Sequence, residues 1–182
     1  MIMPNREKRT TLRTVRLTVS LDELLRKDAG DKNMNVNALI YSVLEKYAEW
    51  DRSTEHFGFI EIQGEIFGRI LELCEDDKLA VIAQELGARI PKETSFFWFK
   101  EANLESLLKS YSLFSKYSQL YHFQIKVQEE HYTLIFSHKL GEKWSRYLQY
   151  SVGKAIKSVT GVVPENNTNT RSVVFKFRVR QN

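Results

Sequence analysis

Cysteine is nearly missing from this chain of 182 residues. Cys74 stands alone, so no internal disulfide can form, and a reducing cytoplasm is the expected setting. Long apolar runs are missing too: none approaches the roughly 20 residues needed to span a bilayer, so no membrane partner is expected. The opening stretch MIMPNREKRTTLRT carries charge with no apolar run behind it, and no signal peptide is expected. Catalytic signatures are absent as well, with no glycine-rich phosphate loop, no H-E-x-x-H and no nucleophile motif. Glu129 and Glu130 are adjacent at a turn, where charge is ordinarily just solvated. The histidines His56, His122, His131 and His138 do not cluster. His131 and His138 end one predicted strand, roughly 20 Å apart at ~3.3 Å per residue, too far to share an ion. Cys74 lies at helical spacing among aliphatics and reads as a packed core thiol. The expectation is no enzyme, no metal site and no cofactor.

What is present is a soluble composition with an uneven charge. Apolar residues make up 42% and charged residues 27%, as in globular proteins. The net charge of +4 sits in the first twenty residues, where Arg6, Lys8, Arg9, Arg13 and Arg16 face only Glu7. The rest of the chain is balanced. A basic arm beside a strand is a footprint for phosphate contact.

Residues 14–20, TVRLTVS, alternate. As a strand they place Val15, Leu17 and Val19 on one face and Thr14, Arg16 and Thr18 on the other. Ser20 and Glu23 form an S-x-x-E capping pattern, which predicts a helix carrying Leu24, Leu25 and Ala29 and closing near Gly30. Asn35 is a good N-cap for a second helix with Ala38, Leu39, Val43, Leu44 and Tyr47 at helical spacing. Such short helices cannot bury both their faces, and the strand has no partner nearby in sequence. Antiparallel pairing of the strand with its twin in a homodimer answers both problems.

The stretches VRLTVSLDE and NVNALIYSVLEKY make residues 10–50 resemble the ribbon-helix-helix transcription factors of the Arc, MetJ and CopG type. The first helix looks about a turn shorter than is usual there. The resemblance implies a paired ribbon in the major groove of double-stranded DNA, with Thr14, Arg16 and Thr18 at the base edges. It also implies that the start of the second helix, at Asn35, Val36 and Asn37, holds a backbone phosphate. Lys8 and Arg9 on the arm join as phosphate contacts.

A connector over 51–62 leads to a second domain, giving an expected division into 1–52 and 53–182. Ile66, Phe67, Ile70, Leu71 and Cys74 predict one helix. A second is capped by Asp76 or Asp77, carries Leu79, Ile82, Ala83 and Leu86, and stops at Gly87 with Pro91 beyond. SFFWF reads as an aromatic strand. A helix capped by Asn103 carries Leu104, Leu107, Leu108, Tyr111, Phe114 and Tyr117 inward. HFQIKVQ and YTLIFSH form a hairpin, and EKWSRYLQYSVGKAIKSV is a helix with Trp144, Tyr147, Leu148, Ala155, Ile156 and Val159 inward. PENNTNTR reads as a loop and SVVFKFRV as the closing strand. The predicted order is βαββαβ, ferredoxin-like, so the fold class is α+β: a ribbon-helix-helix module, then two helices and an antiparallel sheet with one open face. Lys176, Arg178 and Arg180 alternate with Phe175, Phe177 and Val179 and mark that face as an auxiliary basic surface.

A ribbon-helix-helix module before a ferredoxin-like domain is similar in layout to nickel-responsive repressors, whose clustered histidine and cysteine ligands are not matched here. Sensing domains with a helical layer before a βαββαβ unit are similar too, but no ligand residues carry over. The expected function is sequence-specific transcriptional regulation, repression, by a homodimer or a higher oligomer built from it, with a second domain for assembly or for an unidentified small effector. The alternative is a structural DNA-packaging or segregation protein. An antitoxin fits less well, because a long folded segment follows the DNA module.

Overall fold

The computed structural model describes residues 10–180, and the chain divides into two compact units, Met1–Ala48 and Glu49–Asn182. In the first unit, residues 10–18 form no strand pairing within the single chain. Helix α1, Val19–Asp31, is capped by Thr18, whose Oγ1 accepts from the Leu21 amide at 3.4 Å. This corrects the expected cap at Ser20: Ser20 lies inside the helix, and Glu23 closes no capping box. Extending a helix at its end fixes one more residue for one more bond, so the earlier start costs little. It also sets Asp22 in the first turn, where it suits the helix dipole and pairs with Arg26 at 2.7 Å. The helix therefore extends past both ends of the span expected from sequence.

Gly30 does not stop α1. Asn33 does, at φ 53°, a left-handed conformation that asparagine tolerates. The Asn33 amide donates to Gly30 O at 3.0 Å and Met34 to Ala29 O at 2.9 Å, the paired bonds of a Schellman motif. Helix α2, Val36–Lys46, starts at Asn35, whose Oδ1 accepts from the Ala38 amide at 2.8 Å, as expected. A π-helical turn, Tyr47–Asp51, follows.

The second unit continues with α3 (Arg52–Phe57), α4 (Gly64–Glu72) and α5 (Asp76–Phe99). Three expectations fail in α5. Its N-cap is Glu75, with no side-chain cap bond, and Asp76 and Asp77 lie in its first turn, where their charge suits the helix dipole. It runs through both Gly87 and Pro91, and SFFWF is its last turns, not a strand. Proline ordinarily clashes with the carbonyl four residues back, and here that residue is Gly87. Its missing side chain lets α5 lie directly on the backbone of Ser151. The consecutive aromatics stay helical because they find partners on several sides: Phe97 stacks on His56, Trp98 stacks on Trp50, and Lys109 lies over Phe99. Lys100, at φ 60°, ends the helix.

Helix α6, Leu104–Tyr117, has the expected Asn103 cap, and Ser106 completes a capping box. Strands β1 (His122–Gln128) and β2 (His131–Ser137) form the expected hairpin. Helix α7, Glu142–Thr160, crosses to β3 (Glu165–Asn169), and β4 (Ser172–Arg178) returns between β2 and β3. The sheet order is β1-β2-β4-β3, antiparallel throughout, so the expected βαββαβ order is corrected to ββαββ. The segment read as a loop is strand β3. Asparagines have little strand propensity; pairing with β4 and the Asn169 side chain, which accepts from the Arg171 and Ser172 amides, hold it. Phe123, Leu134, Phe136, Val173, Phe175 and Phe177 meet Leu107 and Tyr111 of α6 and Trp144, Leu148, Val152 and Ile156 of α7 in one core. Cys74 packs against that core with its thiol reduced.

Candidate functional site

In the first unit the candidate DNA-reading residues lie on the surface. Thr14 and Arg16 are exposed, with no side-chain partner among the described residues. Thr18 is exposed too, but its hydroxyl is engaged at the α1 cap, where it accepts from the Leu21 amide and shares a hydrogen bond with Ser20 Oγ. Lys8 and Arg9 lie outside the described residues. At the start of α2 the Asn35 side chain is likewise committed to capping, whereas the Val36 and Asn37 amides carry no hydrogen bond among the described residues. Two free N–H groups at the positive end of an 11-residue helix are suited to an anion.

The same unit leaves much apolar surface uncovered. Ala29 and Leu39 are buried, but Leu12, Val15, Leu17, Val19, Leu21, Leu24, Tyr41, Val43, Leu44 and Tyr47 stay 37–89% exposed. Ten large apolar side chains on so small a unit far exceed the scattered exposure normal for a monomer surface.

On the second unit, β1, β2 and β4 bring Lys126, Thr133 and Lys176 into one row, and Gln128, His131 and Arg178 into the next. One of the three cations there is paired: Glu130 holds Arg178 at 2.8 Å, and Glu165 on β3 stands opposite Lys176 in the strand register. Arg180 is exposed just past the end of β4. Of the six side chains in these rows, only His131 carries a ring on which a base could stack.

Among the described residues no group of three histidine, cysteine or acidic side chains could hold a metal ion. His138 is buried with both ring nitrogens engaged. Nδ1 accepts from the Leu140 amide at 3.3 Å, which makes Nε2 the protonated nitrogen facing Ser145 Oγ at 2.8 Å. Among the described residues no helix is long and apolar enough to cross a membrane. A cleft beside α4, lined by residues from three separate stretches of chain, was not visible in the sequence.

No family model, curated protein or solved structure matched this chain.

Proposed function

We propose that the first unit is a ribbon-helix-helix module and that the protein is a sequence-specific DNA-binding transcriptional regulator, a repressor, working in the cytoplasm as a homodimer. The observation that carries this reading is the uncovered apolar surface on residues 12–47. Pairing residues 14–18 with a twin supplies their missing backbone partners and gives Val15, Leu17, Leu24 and Leu44 something to pack against. The opposite set, Thr14, Arg16 and Thr18, then enters the major groove. Arg16 makes a bidentate contact to guanine and the threonines meet neighbouring base edges. The Val36 and Asn37 amides hold a flanking phosphate from each half of the dimer, and Lys8 and Arg9 add salt-dependent affinity.

Selection of bound duplexes from a random DNA pool tests this directly. A regulator enriches one two-fold site; a packaging or segregation protein, the other reading, enriches none. Arg16→Ala is expected to lose roughly 1–3 kcal/mol of discrimination at one base pair. Changing Lys8 and Arg9 to glutamine is expected to weaken binding to all sequences equally and to flatten the salt dependence. Equal loss of specificity from both changes would exclude base reading by the ribbon.

A further inference from the structure

The second unit holds a cleft of about 920 Å³ between α4, the α6–β1 junction and the loop from β2 to α7. Three of the eight glycines of the chain line it. A Cβ on Gly64 or Gly68 would come to 3.4 or 3.6 Å from Leu140, an ordinary contact distance, so the loop lies close against this face of α4. Gly141, at φ 86°, leaves room for the Glu72 carboxylate, since a Cβ there would stand 3.2 Å from Glu72 Oε1. The buried Tyr121 and His138 also line the cleft. His138 fixes the loop through its ring and through its own amide, which donates to Arg171 O at 2.9 Å.

The cleft carries charge of both signs. At several other places on the unit opposite charges pair: Asp76 with Lys143 and Arg146, Glu105 with Lys109, Glu130 with Arg178. Around the cleft, Glu65, Arg69 and Glu72 follow one another along one face of α4, and Lys139 stands on the pinned loop. None of these four side chains makes an ion pair or hydrogen bond among the described residues. Two cations and two anions therefore line one concavity and leave each other unmet. A purely anionic ligand would confront both carboxylates, and a purely cationic one both bases. A molecule carrying both charges answers all four.

We propose that this cleft binds a small zwitterion of the free amino acid or short-peptide class. Arg69 and Lys139 take its carboxylate, and Glu65 and Glu72 take its ammonium group. The volume lies within the range of small-molecule sites and leaves room for a side chain or a second residue. The loop is already pinned by His138, so little ordering opposes binding. This goes beyond the DNA-binding reading and stands without it.

The test uses the full chain without DNA. Saturation-transfer NMR and calorimetry are run with the free L-amino acids and a set of dipeptides, each beside its N-acetyl and C-amide forms. At least one zwitterion is expected to bind with a dissociation constant below about 1 mM, and removing either ligand charge is expected to weaken it about tenfold or more. Arg69→Gln and Glu72→Gln are each expected to do the same with an unchanged melting temperature, because both side chains are exposed. Gly68→Leu, which fills the cleft, is expected to abolish binding. No binding by any member of the panel up to about 1 mM overturns the proposal. So does binding that ignores either ligand charge or survives these substitutions.

Discussion

Gly87 shows how one residue can hold an architecture. A Cβ there would be driven into the carbonyl oxygen and Cα of Ser151, closer than the 3.0 Å that real Cβ atoms keep. Both obstacles are backbone, which cannot rotate aside. Gly87→Ala is therefore expected to cost about 1–3 kcal/mol through overpacking, seen as a lowered urea midpoint, although alanine favours helix everywhere else. His138 acts at the same scale. Burial pushes its imidazole below its ordinary value near 6.5, because the charged ring loses its hydration there. The unfolded chain then binds the proton more readily than the native one. Its contribution to stability is complete above about pH 6.5, falls as pH drops through that value, and is gone below the lowered native pKa. Urea melts between about pH 7.5 and 4.5 are expected to show this loss, and His138→Gln should remove that part of the pH dependence.

At the scale of elements, β4 separates two uses of alternation. Its inward residues Val173, Phe175 and Phe177 are core, and of its outward cations Arg178 pairs with Glu130 while Lys176 stands opposite Glu165 in the register. Replacing Lys176, Arg178 and Arg180 by glutamine is expected to change full-chain affinity for long DNA less than twofold and to leave its salt slope unchanged. A slope reduced by about one or more per binding event would make this strand a phosphate contact. The helices differ in what starts them. α6 is closed by a reciprocal box between Asn103 and Ser106, whereas α5 has no side-chain cap and depends on its packing.

For the whole molecule, the decisive quantity is the association state. Among the described residues the first unit buries only Ala29 and Leu39 of its apolar side chains, too small a core to stand alone, and a second copy is expected to supply the missing one. Leu17→Asp is expected to convert the full chain from dimer to monomer in sedimentation equilibrium at micromolar concentration and to remove specific DNA binding with it. A variant that stays dimeric, or a native chain that is monomeric, excludes the proposed ribbon pairing. Leu17 belongs to the first unit, so the second is expected to keep its melting transition in the variant.

Local chemistry was legible in the sequence. The caps at Asn35 and Asn103, the β1–β2 hairpin and the inward faces of α6 and α7 each follow from a few neighbouring residues: a side-chain acceptor beside free amides, strict alternation, or helical spacing. Three of the misreadings share one cause, whereas the start of α1 at Thr18 and the uncapped start of α5 are local. SFFWF has strand-like composition, but Trp50, His56 and Lys109 meet its rings from different sides and keep it helical. Gly87 and Pro91 look like a helix end until Ser151 lies against the glycine. The asparagine-rich run becomes β3 only because β4 pairs with it. The cleft could not be read at all, since Arg69 and Lys139 are seventy positions apart and share a wall only after α4 meets the loop before α7. Sequence alone thus determines where backbone ends are satisfied by neighbours, and tertiary structure decides every case in which the satisfying partner arrives from a distant stretch of chain, because local preferences of about 1 kcal/mol yield to burial and pairing worth several.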